Sequence, residues 1–109
     1  MPKSNGLPPG TLILLILRVV RQEPLHGYAI AQRIRALSSD QLSVEEGSLY
    51  PALQKLLANG WVKAEWTTSD TGRQVRSYRI TAKGLKQLES EQDDYQRMAD
   101  AIAAILQST

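Results

Sequence analysis

At 109 residues, 42% of them apolar and 22% charged, with a formal net charge of +2, the chain has material for one hydrophobic core and excludes a second. The absence of cysteine excludes a disulfide framework, a thiolate metal site and a cysteine nucleophile, and fits the reducing cytoplasm. The longest apolar run, Leu12 to Leu17, is too short to cross a bilayer, and Arg18, Arg21, Gln22 and Glu23 follow where a signal peptide wants small residues, so neither a membrane span nor export is expected.

Residues 1 to 9 read as a flexible arm, with Pro8 and Pro9 marking a helix start, since proline suits positions whose N–H has no helical partner. The first helix is expected from Gly10 to Gln22. Leu12, Ile13, Leu14, Leu15, Ile16, Leu17, Val19 and Val20 make it apolar on nearly every side, so it is either sandwiched inside the domain or covered by a second subunit. Glu23 and Pro24 break it. A second helix starts near Leu25 or His26, with Tyr28, Ile30, Ile34 and Leu37 as its buried stripe. Ser38, Ser39 and Asp40 form a turn, and Leu42 to Val44 predict a very short strand. In the third helix, beginning around Glu45, Leu49, Leu53, Leu56 and Leu57 share one face, and Asn59-Gly60 ends it.

Two extended segments follow, Trp61 to Thr67 and Val75 to Thr81, joined by a polar tip into a hairpin. Trp61 and Trp66 are assigned to packing, because both lie on a strand beside a small core. Thr81 then caps a last helix running from Ala82 to about Leu106. Its apolar positions, Leu85, Leu88, Tyr95, Ala99, Ile102 and Leu106, form a heptad seam with Gln92 in the gap, and Met98 and Ile105 widen it. Such a helix, too long for its own domain, predicts a homodimer. Charge divides the same way: residues 1 to 84 carry eleven basic side chains against six acidic ones, and residues 85 to 109 carry two against five.

Enzymatic readings find no support. His26, the only histidine, sits at a helix start with no second ligand or catalytic partner in the pattern. Glu45-Glu46 and Asp93-Asp94 are sequence neighbours, which point about 100° apart on a helix and make no catalytic dyad. The glycines form no phosphate loop. No enzyme, metal or cofactor is expected.

What remains is an order of elements: helix, helix, turn, helix, hairpin. That is a mainly α fold with a small β-hairpin wing, a winged helix-turn-helix over residues 10 to 81, followed by a C-terminal dimerisation helix over residues 82 to 109. In this architecture the third helix enters the major groove of double-stranded DNA and the wing lies along the adjacent backbone or minor groove. With the leucines inward, Gly47, Ser48, Tyr50, Pro51, Gln54 and Lys55 face outward on the third helix, and Arg73 and Arg76 stand on or beside the wing. Pro51 inside a helix crowds the carbonyl of residue 47, where Gly47 limits the crowding. The rival reading, a winged-helix module that binds protein, has to use the same outward set, which holds neither an acid nor a large apolar patch.

The string Gly47-Ser48-Leu49-Tyr50-Pro51-Ala52-Leu53, continued by Leu56, Gly60 and Trp61, resembles the signature helix of the PadR family of bacterial transcriptional regulators. His26-Gly27-Tyr28-Ala29-Ile30 and Tyr78-Arg79-Ile80-Thr81 with Gly84 are similar too. The resemblance implies a repressor, homodimeric through its C-terminal helix packed on the first helix. It places Leu12, Ile16, Leu88, Tyr95, Met98, Ala99, Ile102, Ile105 and Leu106 at the interface. It also implies a candidate small aromatic effector held between subunits near Tyr95, although Tyr95 also reads as a packing residue of the seam. In one departure, Gln74 and Val75 separate Arg73 from Arg76, where family wings are often denser in arginine.

Overall fold

The computed structural model describes Leu7 and residues 10–109. The arm expected over residues 1 to 9, with the helix start assigned to Pro8 and Pro9, lies outside the described residues apart from Leu7. The elements, in chain order, are α1 (Thr11–Gln22), β1 (Leu25–His26), α2 (Gly27–Leu37), α3 (Glu46–Ala58), β2 (Val62–Thr68), β3 (Gln74–Ile80) and α4 (Ala82–Leu106). This is the expected winged helix with a long C-terminal helix.

Local chemistry sets most boundaries. Gly60 takes φ 72° and stops α3, a left-handed conformation that costs glycine nothing. Thr81 caps α4: its Oγ1 accepts from the Gly84 N–H at 3.0 Å and donates to the Gly60 carbonyl at 2.7 Å, tying the start of one helix to the end of another. Gly84 allows the contact that follows, because a Cβ there would lie 2.0 Å from the Trp61 carbonyl oxygen. The first turn of α4 therefore seats directly on the entry to the wing.

α1 is sandwiched, packing on α2, α3, α4 and β3. Ile13, Ile16, Leu17, Val19 and Val20 are buried in one cluster with Ile30, Ile34, Leu49, Leu53, Leu56, Val62, Tyr78 and Leu88, while Leu12, Leu14 and Leu15 are half-buried at its rim. This corrects two interface assignments. Ile16 is 0% and Leu88 2% exposed within a single chain, because α4 drops Leu88 into the core beside α1, and neither side chain is left for a second subunit.

Three other expectations change. The sheet has three strands in the order β1-β3-β2, with Leu25 opposite Tyr78 and His26 opposite Ser77. Leu42 to Val44 form no strand: the Leu42 N–H bonds to Ser38 Oγ at 3.0 Å instead of a ladder, while Leu42 and Val44 pack individually on the core. Tyr28 and Leu37 are exposed. Tyr28 precedes Ile30 by two residues, about 200° round the helix, and Leu37 projects past the core at the last helical position.

Candidate nucleic-acid interface

α3 buries Leu49, Leu53 and Leu56 and turns its other side to solvent. Gly47, Ser48, Tyr50, Pro51, Gln54 and Lys55 are all exposed on it. Pro51 has no N–H for the carbonyl of residue 47, yet the helix continues through it. No atom lies within 4 Å of where a Gly47 Cβ would stand, so packing does not account for glycine there. The first turn of α3 accordingly presents bare backbone and a small hydroxyl rather than bulk.

The wing leaves the body of the molecule step by step. Along one face of β2, Val62 is buried, Ala64 half-buried and Trp66 68% exposed. Opposite them on β3 stand Ile80, Tyr78 and Arg76 in register. Trp66 is therefore not the packing residue expected, because the core has already ended at its level. Trp61 is half-buried against the core as expected. At the tip the Ser69 N–H donates to the Arg73 carbonyl at 2.7 Å, and Gly72 takes φ 85°.

Between the inner face of the wing and the start of α2 runs an open cleft of about 690 Å³. His26, Gly27, Tyr28 and Gln32 line it from one side, Tyr50 from α3, and Trp66, Tyr78, Arg73 and Arg76 from the wing. Of the outward residues predicted from sequence, the cleft gathers Tyr50, Arg73 and Arg76. Gly47, Ser48, Pro51, Gln54 and Lys55 lie outside it, on the rest of the exposed side of α3. Sequence reasoning missed Tyr28 and Trp66. The signal for Trp66 lies in the ladder register, which pairs it with Arg76 rather than with an apolar residue and which alternation along one strand does not supply.

Gly27 allows Tyr50 to lie against the start of α2, since a Cβ there would come 3.1 Å from the tyrosine hydroxyl. His26 caps that helix, its Nδ1 accepting from the Ala29 N–H at 3.3 Å. This accounts for the lone histidine structurally. Burial pushes the Tyr78 phenol above its ordinary pKa of 10.0; the Arg76 cation partly offsets this, and Tyr50 adds to it.

Arg33, Arg35, Arg79 and Arg97 each meet a carboxylate. Among the described residues, Lys55, Arg73 and Arg76 form no ion pair, nor do Arg18, Arg21, Lys63, Lys83 and Lys86, so it is position that sets Arg73 and Arg76 apart: both line the cleft, where Asp70 at the tip is the one carboxylate. At the cleft, α3 thus offers the Tyr50 hydroxyl beside the unneutralised Arg73 and Arg76 of the wing. α4, in contrast, exposes Tyr95, Met98, Ile102, Ile105 and Leu106, with Ala99 half-buried among them.

A helix with an exposed polar face, set beside a cationic hairpin on a three-helix body, defines a winged helix-turn-helix protein. The sequence pattern of the transcriptional regulator PadR-like family matches residues 16–90, and the chain belongs to that family. A transcriptional regulator from Clostridium thermocellum is similar in structure at a TM-score of 0.80 and 25% identity, covering 87% of this chain and 92% of that one. A PadR-like transcriptional regulator from Bacillus cereus gives a TM-score of 0.79 at 28% identity, covering 92% and 95%. An uncharacterized protein from Lysinibacillus sphaericus is 29% identical over 75 residues, 69% of either chain. The family is one of transcriptional regulators, which implies DNA-binding regulation. No helix among the described residues is long and apolar enough to cross a membrane.

Proposed function

We propose that two copies of this chain form a cytoplasmic repressor that binds a near-palindromic operator, each inserting α3 in a major groove and laying its wing along the adjacent backbone. The observation that carries this reading is the cleft that brings Tyr50 of α3 together with Arg73 and Arg76 of the wing, with Ser48, Gln54 and Lys55 exposed on the same helix. Residues 10–81 form the DNA-binding unit in this reading. Residues 82–109 form the dimerisation helix, whose exposed stripe from Tyr95 to Leu106 meets the partner copy with the rim of α1 at Leu12. Two recognition helices then stand about 34 Å apart, one turn of DNA. A flat aromatic effector is assigned to the dimer seam beside Tyr95. Loss of its binding in Tyr95→Ala tests that assignment.

The test of the DNA reading is a salt titration. An operator is selected from random DNA and its affinity followed by fluorescence anisotropy from low to high ionic strength. A steep fall with salt is expected. Lys55→Ala or Gln54→Ala should weaken binding at unchanged thermal stability: a lost base contact costs about 1–3 kcal/mol, and a lost phosphate contact lowers the salt slope by about one. Wild-type affinity and slope in both variants, or an interaction indifferent to salt, would favour a protein partner for this face.

A further inference from the structure

The wing cleft holds more aromatic surface than α3 and two arginines need. Tyr28 and Trp66 are each 68% exposed and Tyr50 44%, all three on a cleft that Arg73 and Arg76 also line. These rings leave apolar area in water that a small core could have used. Their arrangement is specific: Trp66 stands across the ladder from Arg76, and Tyr28 of α2 and Tyr50 of α3 line the same cleft. A flat apolar face beside unpaired guanidinium groups and hydroxyl donors suits an occupant that alternates apolar rings with anionic groups.

We propose that Trp66, with Tyr28 and Tyr50, seats the sugar–phosphate backbone of duplex DNA in this cleft, a contact that rests on the DNA-binding reading above. Tyr50 belongs both to the exposed side of α3 and to the cleft, so a strand leaving the groove that α3 fills continues directly between α2 and the wing. Phosphates there meet Arg73, Arg76 and the tyrosine hydroxyls. The Trp66 indole packs on deoxyribose, because duplex bases are already paired and stacked. The contact is sequence-independent and carries no charge of its own.

Those two properties make it testable. Trp66→Ala should weaken binding to the selected operator and to unrelated duplex DNA by the same factor, about tenfold as for a buried aromatic anchor, leaving the specificity ratio and the salt slope unchanged. Trp66→Phe should restore most of the loss. Arg76→Ala should instead lower the salt slope by about one. The difference in emission between wild type and Trp66→Phe isolates the exposed indole from half-buried Trp61, and it should shift to the blue when either duplex is added. If Trp66→Ala binds like wild type while Lys55→Ala is weakened, the cleft assignment falls and the DNA reading stands. If neither changes, both fall. A loss confined to the operator would make Trp66 a reader of bases and overturn the backbone assignment.

Discussion

Gly47 and Tyr78 show how single residues can hold opposite relations to stability. Nothing packs where a Gly47 side chain would stand, and glycine within a helix costs roughly 0.5–1 kcal/mol relative to alanine. Gly47→Ala should therefore raise the melting temperature by a few degrees. It should also weaken operator binding, because the added methyl holds the first turn of α3 away from the base edges. A variant that melts higher and binds as tightly as wild type would mean that this turn does not approach DNA. Tyr78 behaves differently. Burial raises its pKa above 10.0, so the folded state holds the phenolic proton more tightly than the unfolded chain does. The resulting stability is complete below pH 10.0 and is lost as pH rises through the raised value. Denaturant melts across that alkaline window should show a decline for the wild type and a shallower one for Tyr78→Phe.

Among the elements, α4 has two ends with different tasks. Its first turns are anchored by Thr81, Gly84 and Leu88, and its remaining turns carry the exposed stripe. Ile102→Asp sits beyond every contact the helix makes with the core cluster, so the fold should survive. A charge buried in the proposed seam is expensive, and analytical ultracentrifugation should find the variant monomeric at concentrations where wild type is dimeric. A dimeric variant would place the interface elsewhere. The ends of α3, the hairpin and the whole of α4 were legible because their signals are local: a glycine at a stop, a threonine cap, alternation over seven residues. β1 was not, since two residues have no visible period and its partner lies some fifty positions away at Tyr78. Trp66 was misread because alternation tells which face a side chain takes but not where along the strand the body ends. Ile16 and Leu88 lay on stripes that suit a partner, and only packing shows that both belong to the core of one chain. The outward set of α3 was read from the complement of its leucines, and all its members are exposed.

For the whole molecule, the radius of gyration of 15.4 Å exceeds the value of about 13 Å typical of a compact chain this long, because α4 extends the particle to 58 Å. The core nevertheless depends on that helix. Ending the chain at Gly84 removes Leu88, and burial of one such side chain is worth about 1.5–3 kcal/mol, a large share of the total for a small domain. The truncated chain should bind a hydrophobic dye and melt without a sharp transition. A soluble, cooperatively melting product would mean that the winged body stands alone. An end fastened at Leu88 and an end that runs free also make α4 a lever arm. From Leu88 to Leu106 it spans roughly 27 Å, so a tilt of about 5° at the fulcrum sweeps the tip through about 2 Å. In the proposed dimer, where a partner would clasp the tips, the same tilt would be delivered in reverse, and a small change in the clasp would alter the spacing of the two α3 helices.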